Sequence, residues 1–340
     1  MSKPFRILSL DGGGIRGLLT AQILLELDCY IQANFNQQLS QYFELIAGAS
    51  AGAILASEIA VGKTTSDIIK DYICTTKKIF FPPSNPLKKI DNWLVKTLFG
   101  LSSSLFRPKH SGSRLTDILK SRLGVNRKIA DLDTKLLILA YETQSHRPII
   151  FNNWVNTDQF EASNWIYLQD IFLWEAVRCS SSFPGFFPAY PLQKDGKLLS
   201  VIDGSIGALN PAAVAVAAAI AMGHKPENIN LLSIGSGDPN LAISLTEAET
   251  WGMTQWASRM FNLFTFGVSS FDDYIAGEIA NVYLRLQPKL TIGSGINDVS
   301  QDYDDTSDKN TQNLITEAQV YLRKDEIQKK LTNFFCSKQN

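Results

Sequence analysis

Two short glycine-rich stretches carry the residue types that acyl transfer requires. Residues 48–52 read Gly-Ala-Ser-Ala-Gly around Ser50, and residues 11–17 read Asp-Gly-Gly-Gly-Ile-Arg-Gly. A serine hydroxyl at the apex of a tight turn can act as a nucleophile, and bare glycine amides can bind the oxyanion that its attack creates. The two stretches together predict a serine-dependent acyl-transfer site.

Each stretch lies between an apolar run that predicts a strand and an apolar-periodic run that predicts a helix. Residues 5–10 precede the first stretch and residues 43–47 precede the second. Gly48 and Gly52 are expected to relieve the crowding around a serine at a strand-to-helix corner. The helix that begins after Ser50 directs the positive end of its dipole toward that serine.

The glycine run is open to several interpretations. A P-loop is excluded because no lysine follows the glycines at the required position. The spacing also matches the dinucleotide fingerprint G-x-G-x-x-G, with Glu26 or Asp28 in the vicinity of the expected acidic partner. An oxyanion hole made by the amides of Gly12, Gly13 and Gly14 is favoured, because the Ser50 corner would lie beside this loop. A plain tight turn is the remaining alternative.

Asp203 is the candidate general base. It ends an apolar run and precedes Gly204, so it would lie at the same sheet edge as Ser50 if the two strands run parallel. The alternative is an Asp-Gly turn residue without a catalytic role. In the α/β-hydrolase order a histidine base follows the aspartate, and of the three histidines only His224 follows Asp203. A helix over 211–222 would place His224 about 15–20 Å from Asp203. A dyad of Ser50 and Asp203 without histidine fits better.

Composition and charge exclude several classes of function. The chain has 340 residues, 45% of them hydrophobic, and a formal net charge of −1, so we expect a large core and no nucleic acid polymer as partner. The four cysteines and three histidines lack metal-ligand spacing, so we expect no metal, no cofactor and a cytoplasmic protein with reduced thiols. No signal-peptide pattern and no apolar run of spanning length is present.

Alternating strands and helices predict an α/β fold whose mostly parallel sheet is covered on both faces. We expect one catalytic domain over 1–340, with an inserted segment at about 80–112 and a helical C-terminal extension at about 245–340. The inserted segment combines aromatic residues with basic ones, including Lys88 and Lys89. That combination suits an anionic membrane surface, and a solvated loop is the alternative.

A second aromatic segment, at 251–275, also departs from the alternating pattern. It is interpreted as core or as a dimer face, which would make the protein a homo-oligomer. A lid over the acyl site is the alternative.

These motifs, in order, resemble those of patatin-like phospholipases. The resemblance rests on the Asp-Gly-Gly-Gly-Ile-Arg-Gly and Gly-Ala-Ser-Ala-Gly blocks, on Asp203-Gly204, and on the weaker blocks at 180–188 and 210–211. It implies a three-layer α/β/α fold, a dyad of Ser50 and Asp203, a glycine-amide oxyanion hole, and hydrolysis of acyl esters in membrane phospholipids. Asp11 and Arg16 are implied as supporting residues. Arg16 would fix the loop, attract phosphate or form an ion pair.

The chain departs from the family pattern at two positions. Ser205 follows Asp-Gly where the family usually has glycine or alanine, and Phe183 stands where a small residue is usual. Both changes are expected to reshape the acyl pocket without removing a reacting group.

The resemblance extends to bacterial patatin-like effectors, which cyclic nucleotides switch on in antiphage defence. It thereby implies a cyclic-nucleotide activator and peripheral association with the membrane during catalysis. An esterase or thioesterase that acts on soluble acyl substrates is one alternative. A catalytically inactive lipid- or nucleotide-binding module is the other.

Overall fold

The computed structural model describes residues 3–80, 108–154, 165–239, 242–293 and 295–336, without the side chains of residues 254, 257, 258 and 261. Within these ranges a single sheet contains nine strands. They are β1 (Phe5–Leu10), β2 (Leu45–Ala49), β3 (Lys135–Glu142), β4 (Arg147–Asn152), β5 (Ile166–Leu168), β6 (Tyr190–Lys194), β7 (Lys197–Asp203), β8 (Ile229–Ile234) and β9 (Val282–Leu286).

The strand order is β5-β4-β3-β2-β1-β8-β9, and β7 additionally pairs with β3 and with β6. Five pairs are parallel: β1 with β2, β1 with β8, β2 with β3, β4 with β5, and β8 with β9. The pairs of β3 with β4, β3 with β7 and β6 with β7 are antiparallel. The predicted mostly parallel sheet is therefore confirmed.

Helices cover both faces of this sheet. They are α1 (Gly17–Phe35), α2 (Leu39–Tyr42), α3 (Ala51–Ala60), α4 (Thr65–Ile79), α5 (Gly112–Leu123), α6 (Leu173–Ser180), α7 (Ala212–Ala221), α8 (Leu245–Thr250), α9 (Met253–Ile279), α10 (Asp308–Leu322) and α11 (Asp325–Cys336). The strand–corner–helix order that was predicted around both glycine stretches is present.

Two hydrophobic cores separate the layers. Because side chains alternate across a strand, Leu8 and Leu10 of β1 enter one core while Phe5 and Ile7 enter the other. Helices α1, α3, α4 and α10 pack in the first core, and α7 and the end of α9 pack in the second. The predicted three-layer α/β/α architecture is confirmed.

The C-terminal part of the chain contributes to both the sheet and a helical layer. Strand β9 pairs with β8, and α10 packs against α1. The aromatic segment at 251–275 lies mostly within the long helix α9. These contacts support the single-domain organisation, which stays a prediction. Most of the inserted segment at about 80–112, including Lys88, Lys89 and Lys96, lies outside the described residues.

The sequence did not predict β5 and β6. Strand β5 has three residues, and β6 reads Tyr-Pro-Leu-Gln-Lys, which contains a proline and little apolar alternation. Such strands form through pairing with a neighbour rather than through local propensity. No helix in the described part of the chain is both long enough and apolar enough to cross a bilayer.

Candidate active site

Ser50 occupies the corner between β2 and α3 in an unusual backbone conformation. Its φ is 52° and its ψ is −120°, a region that residues with side chains rarely adopt. Strain of this kind concentrates at functional sites, and the nucleophile corner of α/β hydrolases is an example. The Ser50 N–H donates a hydrogen bond of 2.9 Å to Ser180 Oγ, which holds the corner in place.

The glycines on either side of Ser50 allow this corner to close. A Cβ atom at Gly48 would lie 2.4 Å from the Gly52 carbonyl oxygen, and one at Gly52 would lie 2.1 Å from the Leu10 carbonyl oxygen. Both separations are shorter than real Cβ contacts, and both partners are backbone atoms that cannot rotate away. The corner therefore folds tightly onto itself and onto the end of β1.

Asp203 approaches the Ser50 corner from the opposite direction. Ala49, the last residue of β2, pairs with Leu139 of β3 in parallel register. Asp203, the last residue of β7, pairs with Ala140 of β3 in antiparallel register. Because Ala140 follows Leu139 directly, β2 and β7 share one edge of β3 and meet end to end. The expectation that the two strands run parallel is wrong. The residues converge because the two strand ends face each other.

The Asp203 carboxylate is fully buried and is held through one oxygen. Oδ1 accepts hydrogen bonds from the Ser205 N–H at 2.8 Å and from the Ser205 hydroxyl, whereas Oδ2 has no hydrogen-bond partner of normal geometry among the described residues. Burial raises the pKa of Asp203 to about 6, and the Ser205 and Ser50 hydroxyls oppose that rise. The Ser50 hydroxyl is therefore among the groups that favour the ionised carboxylate, although it makes no hydrogen bond of normal geometry to Oδ2.

Gly204 is required by the packing that follows Asp203. A Cβ atom at this position would lie 2.2 Å from the Leu139 carbonyl oxygen of β3. The turn that closes the Asp203 side chain onto Ser205 thus lies directly against the sheet.

The glycine loop presents fewer free amides than the sequence predicted. The Gly12 N–H donates to the Leu209 carbonyl oxygen at 3.0 Å, so the fold uses it. Gly13 and Gly14 line the cavity next to Ser50, and their N–H groups make no hydrogen bond to any described residue. The Gly12 amide is therefore not available for the predicted oxyanion hole, whose Gly13 and Gly14 amides stay a prediction.

Gly14 needs its lack of a side chain for two reasons. Its φ is 55°, in the left-handed region, and a Cβ atom would lie 2.4 Å from the Tyr303 carbonyl oxygen. Its own carbonyl accepts a hydrogen bond of 2.6 Å from the Tyr72 hydroxyl. The loop is thus fixed from α4 on one side and from the 300–305 segment on the other.

Asp11 anchors the beginning of this loop through a partner that the sequence analysis missed. Its buried carboxylate accepts hydrogen bonds of 2.8 and 2.5 Å from the guanidinium of Arg285 on β9. Burial lowers the pKa of Arg285, but the Asp11 carboxylate outweighs that effect and raises it overall. One feature of the sequence could have indicated this pair. Arg285 is the lone charged residue within the otherwise apolar strand β9, and a buried charge requires a partner.

Arg16 fixes the segment that covers the loop. It is buried, donates to the carbonyl oxygens of Ser300 and Gln301 at 3.3 and 3.2 Å, and stacks over the Tyr303 ring at 4.3 Å. Of the three predicted roles for Arg16, these contacts favour fixing the loop. No ion pair joins it to another described residue.

None of the three histidines lines the cavity next to Ser50. His224 stacks on Phe5 at 3.8 Å, at the end of β1 opposite to the glycine loop. His146 lies in the turn between β3 and β4, and His110 is buried against Asp304 at 2.7 Å. Asp28, a candidate ribose partner, instead accepts a hydrogen bond from Thr65 in a buried contact between helices α1 and α4.

A cavity opens directly above Ser50. Its polar side chains are hydroxyls, including those of Ser181, Ser205 and Ser236. The other described side chains that line it, apart from Ser50 itself, are Ala51, Ile54, Tyr72, Thr76, Ile79, Phe80, Leu115, Phe183, Phe186, Phe187, Leu209, Thr265, Phe266 and Tyr303. Neither a histidine nor a charged side chain is among these lining residues. The described part of the chain also contains no cluster of metal-binding side chains. The cavity is chemically suited to hold a hydrocarbon chain next to the serine.

Comparison with known proteins identifies relatives over most of the length of this chain. Patatin-17 from Solanum cardiophyllum is 25% identical over 345 residues, which cover 94% of this chain and 83% of the relative. A protein named probable inactive patatin-3-Kuras 1, from Solanum tuberosum, is 26% identical over 350 residues, which cover 94% of this chain and 86% of the relative.

Solved structures that are similar to this chain have low sequence identity to it. VipD from Legionella pneumophila is 13% identical with a TM-score of 0.38, over 94% of this chain and 67% of that protein. Human GIVD cytosolic phospholipase A2, in complex with a fluorophosphonate inhibitor, is 11% identical with a TM-score of 0.47, over 98% of this chain and 60% of that protein.

The sequence profile of one family matches most of the chain. It is described as patatin-like phospholipase and spans residues 8–216, a range that includes both glycine stretches and Asp203. The chain therefore belongs to the patatin-like phospholipase family.

Proposed function

We propose that this protein is a lipid acyl hydrolase of the phospholipase A type, with Ser50 as nucleophile and Asp203 as general base. One observation carries the proposal: a strained serine corner meets a buried carboxylate, one oxygen of which accepts no hydrogen bond of normal geometry from the part of the chain that the structure describes. A pKa of about 6 leaves most of this carboxylate ionised at neutral pH, as a general base requires.

The proposed reaction has two halves. Asp203 Oδ2 accepts the Ser50 proton as Oγ attacks the ester carbonyl carbon, and the Gly13 and Gly14 amides bind the resulting oxyanion. The lysophospholipid oxygen leaves with the proton from Asp203, which gives an acyl-enzyme on Ser50. Asp203 then takes a proton from water as the water attacks the acyl carbonyl. The fatty acid is released, and Ser50 recovers its proton.

A membrane phospholipid is the proposed substrate because the cavity wall is apolar and borders an exposed apolar helix. Phe266 of α9 lines the cavity, while Phe264 and Phe271 of the same helix are 61% and 71% exposed. Exposed apolar side chains on a helix can enter the interfacial region of a bilayer. This arrangement supports peripheral membrane association during catalysis.

The nucleophile assignment is tested by covalent labelling and by fatty-acid release. Ser50→Ala should abolish labelling by a fluorophosphonate probe, and both Ser50→Ala and Asp203→Ala should abolish fatty-acid release. Ser57→Ala is a matched control, because it removes a hydroxyl from helix α3, which begins directly after Ser50, without touching the cavity. Retained labelling or release in the Ser50 variant would refute the assignment.

Two alternatives remain distinct from a membrane lipase. An esterase or thioesterase would prefer short soluble acyl substrates to phospholipid vesicles, which a direct comparison of rates decides. An inactive binding module would bind lipid without labelling, and one of the relatives is named a probable inactive patatin. The presence here of Ser50, Asp203 and two glycine amides that make no hydrogen bond within the described ranges supports the active enzyme.

The proposal includes control by a cyclic nucleotide in antiphage defence, for which the sequence resemblance alone is the basis. The inserted segment that contributes to this resemblance lies mostly outside the described residues. Phospholipid hydrolysis measured with and without a panel of cyclic di- and trinucleotides tests it. Equal rates throughout the panel would contradict this part of the proposal.

A further inference from the structure

Ser205 contacts Asp203 through two chemically different groups. Its backbone N–H donates to Oδ1 at 2.8 Å, and its side-chain hydroxyl donates to the same oxygen. The first bond closes a turn that other residues could also form, whereas the second requires a hydroxyl. Ser205 is 4% exposed and lines the cavity, so its hydroxyl belongs to both the cavity wall and the surroundings of the carboxylate.

The glycine loop restricts the position of this hydroxyl. A Cβ atom built on Gly12 would lie 3.0 Å from Ser205 Oγ, and the Gly12 N–H is fixed to Leu209. The hydroxyl is thus packed between the loop and the carboxylate. With two donors on Oδ1 and none of normal geometry on Oδ2 among the described residues, the two oxygens of Asp203 are not equivalent.

We infer that Ser205 is a positioning residue for Asp203: its hydroxyl holds Oδ1 and leaves Oδ2 to receive the Ser50 proton. The role of Oδ2 rests on the proposed function, whereas the hydrogen bond between Ser205 and Asp203 does not. A hydrogen bond to an ionised carboxylate is stronger than one between neutral groups, so a single hydroxyl can fix the side chain.

The same hydrogen bond favours the ionised form of the carboxylate. Burial raises the pKa of Asp203, and the Ser205 hydroxyl is the leading group that lowers it, followed by the Ser50 hydroxyl and the Ser205 N–H. No charged side chain among the described residues acts on this pKa. Loss of the Ser205 hydroxyl should therefore raise the pKa of Asp203, because burial would be opposed by fewer donors.

Three variants separate the hydroxyl from other features of the site. Ser205→Ala keeps the backbone N–H and removes only the hydroxyl, whereas Ser205→Thr keeps a hydroxyl. Ser181→Ala removes a different cavity hydroxyl that makes no hydrogen bond to Asp203. Circular dichroism and thermal melting establish that each variant is folded before any titration is compared.

The first measurement does not depend on activity. Carbon-13 NMR of protein labelled at the aspartate carboxyl carbons gives the pKa of Asp203, whose signal is assigned by its loss in Asp203→Asn. We expect Ser205→Ala to raise this pKa by roughly one unit, while Ser205→Thr and Ser181→Ala leave it near the wild-type value. Equal pKa values in wild type and Ser205→Ala would overturn the inference.

The second measurement is the pH dependence of kcat/KM with a short soluble ester. A rise of about one unit in the pKa of the base lowers kcat/KM about fivefold at pH 6 and much less at pH 8. A shift in the NMR titration without this change in rate would support the role of Ser205. The same result would contradict the role of Asp203 as base. A failure of the proposed function can therefore be distinguished from a failure of the inference about Ser205.

Discussion

Asp11 and Arg285 form a buried ion pair with two hydrogen bonds at the sheet edge that carries the glycine loop. Asp11 directly follows β1 and begins the loop, and Arg285 belongs to β9 at the far edge of the parallel strands. Arg285 also donates to Ser233 Oγ of β8 at 2.7 Å. One guanidinium therefore ties the loop beside Ser50 to two strands that lie more than 200 positions later in the sequence.

Removing one member of this pair should be costly. Arg285→Met leaves the Asp11 carboxylate buried without a counter-charge, so we expect a loss of about 3 kcal/mol in the free energy of unfolding. Asp11→Asn combined with Arg285→Met should lose less than the sum of the two single variants, because no unpaired charge is left. Chemical denaturation of all four proteins checks this, and strictly additive losses would contradict the coupling.

The pKa of Asp203 predicts the acid limit of activity. Because the base must be ionised, we expect kcat/KM to be constant above about pH 7 and to fall about tenfold per unit well below pH 6. Rates with a soluble ester between pH 4.5 and 8 measure this acid limb of the pH profile. A limb centred near pH 4, the ordinary range for an aspartate, would show that burial does not act on the base as we infer.

The same pKa predicts how stability depends on pH. The folded-state pKa of Asp203 lies above the unfolded value, so ionisation costs the folded state free energy as the pH rises from about 4 to 6. Asp203→Asn avoids this cost and should be more stable than wild type by about 2–3 kcal/mol at pH 8. The difference should nearly close at about pH 3, which lies below both pKa values, so that both states of the wild type carry the proton. Denaturation at the two pH values measures it, and a constant difference would contradict the linkage.

The steric crowding at Gly52, which follows the Ser50 corner, can be tested by comparison with Gly267, which has open space around it. Gly52→Ala forces a Cβ atom against the Leu10 carbonyl, so we expect a loss of about 1–3 kcal/mol in stability and loss of fluorophosphonate labelling. Gly267→Ala, on helix α9, meets no atom within 4 Å and should raise stability by up to about 1 kcal/mol. Similar effects of the two substitutions on stability and labelling would contradict the steric argument.

The exposed apolar residues of α9 should matter only at a lipid surface. Replacing Phe264 and Phe271 with serine should weaken sedimentation with phospholipid vesicles roughly tenfold, while hydrolysis of a soluble ester changes little. Val320→Ser removes a half-exposed apolar side chain from α10, away from the cavity, and serves as control. Unchanged vesicle binding in the double variant would exclude α9 as the membrane contact.

Local pattern determined the parts of this protein that depend on near neighbours. The apolar runs before the two glycine stretches, the helices after them and the glycines around Ser50 follow from periodicity and from steric crowding within a few residues. The alternation of these units was enough to predict a three-layer fold. The order of the motifs was enough to indicate the family.

Tertiary structure alone decided the relationships between distant residues. The antiparallel direction of β7, the pairing of Asp11 with Arg285 and the use of the Gly12 amide by Leu209 depend on which segments become neighbours. A sequence shows that a buried charge needs a partner and that an amide needs an acceptor, but it does not identify either one. The partner and the acceptor are determined only when the whole chain packs, because each of them satisfies a polar group that burial has removed from water.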